Sequence, residues 1–238
     1  MSIPSAAQPS IQLEGTIPLG RNIREYELMF NLWSMRDTVT YLDCGAGPAS
    51  FNAEMTVRGR RVVSVDPLYE LCRADLAERV ESALPGIIAQ VSAARHLYRW
   101  DMHGSPERLS QSRGESAQHF LADYDQGRHD GRYVAASLPQ LPFADESFDV
   151  AVCSHLLFLY SKVFDAGFHI DAIRELLRVA TEVRIFPLCD LNGEVSPHLR
   201  EVVKTLRKER CHTQIINVPY EFQRGVNQCL LIRKKRSL

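Results

Sequence analysis

Apolar positions along this chain follow two rhythms, and the places where one gives way to the other mark its organisation. Residues 22–34, NIREYELMFNLWS, carry Ile23, Tyr26, Phe30 and Trp33 at helical spacing behind an Asn22/Glu25 capping pair. TVTYLDC is a β-branched run that stops at glycines, SFNAEMTVRG reads as a short helix closed by Gly59, and RRVVSVDP is a second buried strand halted by Pro67. Strand, glycine bend, helix, strand is a βαβ unit, and such units build a parallel sheet with helices packed on it.

The strand rhythm then lapses. Between Asp66 and Tyr133 the spacing predicts only helical stretches: one with Leu76, Val80 and Leu84, one with Ile87, Ile88, Val91 and Leu97 after Pro85, one opened by Ser105-Pro106, and one ending near Tyr124. That is more chain than one crossover helix needs, so residues 70–131 are expected to form a helical insertion over one end of the sheet, a substrate lid. Alternation returns in RYVAAS, SFDVAVCS and EVRIFPL. The helix HIDAIRELLRVA turns Ile170, Ile173, Leu176 and Leu177 inward, and SPHLREVVKTLRKER starts with Ser196 as cap and Pro197 in its first turn. TQIINVPY and NQCLLIRK close the chain as a hairpin around Gly225. The expectation is one α/β domain over residues 1–238, a Rossmann-like doubly wound seven-stranded sheet. It is mostly parallel with an antiparallel final strand, preceded by a segment and helix over 1–37 and interrupted by the insertion.

Composition narrows the function classes. With 238 residues, 45% of them hydrophobic, the chain can bury a full core. A net charge of -1 gives no general pull toward nucleic acid or an anionic membrane. No apolar run has the length of a membrane span, and MSIPSAAQPS lacks the regions of a signal peptide. Six scattered cysteines without a CxxC pair read as buried free thiols of a reducing cytoplasm. His96, His103, His119 and His129 crowd the insertion without metal-ligand spacing and read as surface residues; no metal is expected.

The candidate chemistry sits at LDCGAGPASF. Gly45 and Gly47 let backbone approach a ligand closely, and the helix that follows favours an anion at its start. Asp43, at the strand's end, would repel a pyrophosphate but suits a cationic amine. Asp66, 21 residues after Gly45 at the tip of the next strand, suits the hydroxyls of a ribose. An amine, a carboxylate and a ribose without phosphate describe S-adenosylmethionine.

From about residue 38 onward the sequence resembles the class I S-adenosylmethionine-dependent methyltransferases. TYLDCGAGPASF is similar to their first motif and VVSVDP to their second. LPFADESFDVAVCSH resembles their small-molecule signature before the fourth strand, and FPLxDLNG resembles a bacterial-type subgroup. The resemblance implies cofactor contacts at Asp43, Gly45, Ala46, Gly47, Asp66, Pro67, Ser137, Leu138 and Ser154. Ser137 replaces the Asp that commonly receives the adenine amino group, and Ala49 replaces the last motif glycine. His155, past the fourth strand, is the candidate general base. The implied activity is methyl transfer from S-adenosylmethionine to a small-molecule acceptor, with a catalytically silent S-adenosylmethionine-binding or scaffold domain as the alternative. A nicotinamide-dependent dehydrogenase shares the βαβ start, but it would set Asp43 against a pyrophosphate.

Overall fold

A computed structural model describes residues 19–235. The helix expected over 22–34 is α1, Ile23–Phe30, and its capping box is present: the Asn22 side chain accepts from the Glu25 N–H while Glu25 accepts from the Asn22 N–H. It ends earlier than the apolar spacing suggested because Asn31 adopts the left-handed conformation. Trp33 consequently leaves the buried face and is 54% exposed in the following 3₁₀ turn. The βαβ unit follows as β1, Thr40–Cys44, α2, Phe51–Val57, and β2, Arg61–Val65.

The insertion resolves into two long helices instead of four stretches. These are α3, Arg73–Ala93, which runs through Pro85, and α4, Pro106–His129. A proline inside a helix removes one ladder donor and orphans the carbonyl four residues earlier. Pro85 and Glu81 are both exposed on α3, so the orphaned carbonyl is not shut into an apolar core and the helix continues. α4 is more than an appendage. Its Phe120 and Tyr124 pack with Tyr69 and Tyr133 in one buried aromatic cluster, and Gly127 lets the Tyr133 ring approach where a Cβ would collide with it.

The remaining strands are β3, Tyr133–Val134, β4, Phe148–Ser154, β5, Ala180–Phe186, β6, Cys211–Asn217, and β7, Gln228–Lys234. Between them lie α5, Ala166–Val179, and α6, Leu199–Lys208. Ser196 does not cap α6; its Oγ accepts from the His198 N–H, and the helix begins one residue beyond His198. The strand order is β3-β2-β1-β4-β5-β7-β6, with β7 antiparallel to both of its neighbours and every other pairing parallel. Leu42, Ala151 and Cys153 face α5 and α6, while Tyr41, Val150 and Val152 face α1 and α2, so the sheet is covered on both sides. The order reverses direction between β1 and β4, and a crevice opens at the carboxyl ends of such neighbours.

Candidate active site

A cavity of about 430 Å³ lies at that crevice. Its floor is the loop after each of five strands: Cys44–Gly47, Asp66–Leu68, Ala136–Leu138, Ser154–Leu156 and Phe186–Pro187. Its roof comes from α3, α4 and the β6–β7 connection, through Ile88, Val91, Tyr98, Leu109 and Phe222. The roof is clasped between its two connecting segments. Tyr98 stacks on Phe222 with ring centres 4.7 Å apart, the Arg99 N–H donates to the Phe222 carbonyl at 2.7 Å, and the Arg224 N–H donates to the Leu97 carbonyl at 2.9 Å.

The glycine bend is drawn tight by its own hydrogen bonds. Gly45 and Gly47 have φ of 69° and 51°, which glycine adopts without strain. The N–H groups of Gly45 and Ala46 both donate to the Val65 carbonyl, that of Gly47 to Asp66 Oδ2 at 2.9 Å, and that of Ala49 to the Ala46 carbonyl. The Ser50 N–H is shared between the Arg21 carbonyl and Ser116 Oγ. The bend thus offers a ligand close approach but no vacant amide from these five residues. The amides of the bend itself are therefore taken by protein groups. A Cβ on Gly45 would come within 2.7 Å of Leu156, so the approach itself requires glycine. Ala49 is buried against Tyr26 and Phe51, outside the cavity wall, and its methyl takes the place of the missing third glycine at no cost to the ligand space.

Asp66 is where the sequence put it. Its Oδ1 accepts from the Leu68 N–H at 2.9 Å while Oδ2 accepts from Gly47. Burial raises its pKa and these two bonds oppose the rise. A carboxylate has about four lone-pair sites, so those left over can face a diol across the cavity. Asp66→Ala should weaken S-adenosylhomocysteine binding by about 1–3 kcal/mol, read by calorimetry, since charge-assisted bonds and the anchor of Gly47 go together.

Asp43 lies deeper in the fold. It belongs to the strand face that meets α1 and α2, is fully buried, and does not line the cavity. Tyr26 donates its hydroxyl to both carboxylate oxygens, at 3.1 and 3.3 Å, and Ser64 donates to Oδ2 at 3.3 Å. Burial pushes its pKa up to about 7. Direct contact with a ligand amine is replaced by a place beneath the bend. Ala46, Pro67, Ser137, Leu138 and Ser154 do line the cavity, as does His155. His155 has φ of 54°, its Nδ1 lies 2.9 Å from Ser154 Oγ, and its N–H donates to the Phe186 carbonyl at 2.7 Å. Burial, with the nearby Arg21 and Arg113 cations, pushes its pKa well down, so the ring is neutral and weakly basic.

Most of one cluster had no sequence signal. Arg113 of α4 grips Glu25 of α1 with two nitrogens, at 2.5 and 2.7 Å, and Tyr220 donates to the same carboxylate at 3.1 Å. His103, expected on the surface, is buried with Nε2 3.6 Å from Glu25, and burial pushes its pKa down to about 4. Arg21 lines the cavity beside them; its Nη1 donates to the Leu19 carbonyl, but its buried Nε has no hydrogen-bond partner. Gly20 holds this strap against the bend, where a Cβ would strike the Pro48 carbonyl. Among the described residues, no group of three or more His, Cys, Asp or Glu could hold a metal ion, and no helix is long and apolar enough to cross a membrane.

A seven-stranded sheet in this order, with a glycine bend after β1 and a carboxylate at the tip of β2, is the layout of a methyltransferase that uses S-adenosylmethionine. The family model described as "Methyltransferase domain" matches residues 86–182. The chain belongs to the class I S-adenosylmethionine-dependent methyltransferases and shares a family with an uncharacterised protein of Methanocaldococcus jannaschii. That relative is 31% identical over 225 residues, which cover 94% of this chain and 99% of its own. Among solved structures, a methyltransferase from Methanosarcina mazei is 14% identical with a TM-score of 0.45, covering 85% of this chain and 95% of that one. The magnesium protoporphyrin IX methyltransferase of Synechocystis PCC 6803 with bound S-adenosylmethionine is 14% identical with a TM-score of 0.44, covering 83% and 71%.

Proposed function

We propose that this enzyme methylates a small molecule enclosed between the strand tips and the roof. The observation that carries the proposal is that a single cavity is lined both by Asp66 and by the apolar residues of α3 and Phe222. In this reading α3 and the segment 94–104 form the lid, while α4 belongs to the wall of the fold.

The residues present fit the cofactor. Asp66 would take the ribose hydroxyls, Leu68 and Leu138 would flank the adenine with Ser137 at its edge, and Gly45–Gly47 would admit the methionyl chain. With the bend's own amides taken, the unpartnered Nε of Arg21 is the natural seat for the methionyl carboxylate. When bound, S-adenosylmethionine supplies an electrophilic methyl on a sulfonium. The protein's part is to align the acceptor and exclude water, which a roofed apolar chamber does. His155, neutral and tied to Ser154, is suited to orient an acceptor or accept a proton from an acidic one; a weakly basic ring cannot deprotonate a strongly held proton.

Two ligands test the seating. Arg21→Gln should weaken S-adenosylhomocysteine about tenfold and leave 5′-methylthioadenosine, which lacks the carboxylate, unchanged. Equal weakening of both would remove Arg21 from this role. Release of S-adenosylhomocysteine on incubation with S-adenosylmethionine and sets of small acceptors tests the activity. Tight cofactor binding with no release from any set would favour the silent binding domain.

A further inference from the structure

The cavity is also lined by α3. One helical face there presents Ile87, Ile88 and Val91 to the interior, and Tyr98 and Phe222 complete the wall. Gln90 lines the same wall. Its Oε1 is buried and has no hydrogen-bond partner, and among the described residues it shares that condition only with Arg21 Nε and His103 Nε2. Leaving a buried amide oxygen unpaired is unfavourable, and a site that does so is built to be completed by something polar. Gln223, the other carboxamide on the wall, already donates to the Leu191 carbonyl at 3.4 Å.

Charge decides what that something is. A buried ion needs a counter-ion, and the ionic groups of this chamber are already occupied. Both terminal nitrogens of Arg113 are on Glu25. His155 and His103 are neutral. Asp66 accepts two backbone N–H groups. Among the described residues, Arg21 carries the buried guanidinium nitrogen that lacks a partner, and the seating proposed above assigns it to the cofactor. An ionised group beside Gln90 would have no counter-ion left to meet.

We propose that the methyl acceptor is an uncharged, largely apolar molecule whose hydroxyl pairs with the Gln90 carboxamide, making Gln90 the specificity-determining residue of the lid. A hydroxyl both donates and accepts, so it satisfies either end of the amide. The proposal rests on the methyltransferase reading and refines it.

The test uses three matched probe sets, built on benzene, naphthalene and cyclohexane. Each contains the parent hydrocarbon, its alcohol, its carboxylic acid and its aminomethyl derivative. Binding to the full-length protein saturated with S-adenosylhomocysteine is measured by calorimetry. In at least one set the alcohol should bind about tenfold or more tighter than the acid and the amine, a site built for a hydrogen bond discriminating strongly by chemistry. Gln90→Leu should abolish the alcohol's advantage over the hydrocarbon while S-adenosylhomocysteine binds as before, which also reports that the variant is folded. The acid binding tightest would mean that the acceptor is an anion claiming Arg21, and would overturn the proposal. Survival of the alcohol preference in Gln90→Leu, loss of cofactor affinity in that variant, or no binding by any probe would overturn it as well. No heat with S-adenosylhomocysteine on the unaltered protein is a different failure and would overturn the methyltransferase reading itself.

Discussion

Arg113→Leu should destabilise the protein by about 3–5 kcal/mol, the cost of leaving a buried charge without its partner. The guanidinium is almost wholly buried and holds Glu25 through two bonds across 88 residues of sequence. Burial alone would raise the pKa of Glu25; the Arg113 charge overrides it and holds the carboxyl at about 2. Without Arg113 the carboxylate must either stay ionised in an apolar setting or take up a proton. At about 2–4 °C per kcal/mol for a chain of this size, the thermal midpoint should fall by roughly 10 °C. Adding Glu25→Gln should restore much of the loss, because the orphaned charge goes with it. A single-variant loss under about 1 kcal/mol would mean that solvent screens the pair and that the cluster is not the tie between α1 and α4. In the parent protein the sign is fixed by the depressed pKa. The contribution of Glu25 is full above its unfolded value near 4.5 and is lost as pH falls toward 2.

Asp43→Asn should change the slope of stability with pH more than its level. The folded pKa of Asp43 is raised from 3.8 to about 7 by burial, so the native state keeps a proton that the unfolded chain gives up. Stability is therefore undiminished below about pH 4 and falls as pH rises toward 7, after which the cost is constant. Between pH 5 and pH 8 that cost grows by about 2–3 kcal/mol, from the fraction of the shift lying inside the window. Asparagine does not titrate. The stability of the variant relative to its parent should improve by that amount across the window, whatever its offset at pH 5. Urea unfolding at the two pH values measures it, and parallel profiles for the two proteins would show that Asp43 is ionised throughout.

Local rules were enough for much of this fold. The Asn22/Glu25 capping box, the βαβ start, the glycine bend and the carboxylate at the tip of β2 are each written within a few neighbouring residues, and the structure has them there. The antiparallel hairpin at the end of the chain was legible for the same reason. Misreadings came where a distant partner decides. Pro85 ends a helix in most sequences, yet α3 passes through it because that side faces water. His103 looks like any polar residue in a loop until Glu25, far away in sequence, is seen beside it. Gln90 sits among apolar neighbours with nothing local to separate it from a solvated residue. The face on which Asp43 lies was legible as well. Strand alternation sets it on the same face as Tyr41, toward α1 and α2, and that parity can be read without coordinates.

The glycine bend is held in shape by hydrogen bonds within the protein. Every amide from Gly45 through Ser50 that a newcomer would need to organise is already fastened to Val65, Asp66, Ala46 or the Arg21 strap. A pocket rigid before encounter demands little ordering when a nucleoside arrives, so differences in affinity between nucleosides report their own contacts and not the folding of a loop. For the same reason product should leave behind a vacated seat of unchanged form, ready for the next turnover.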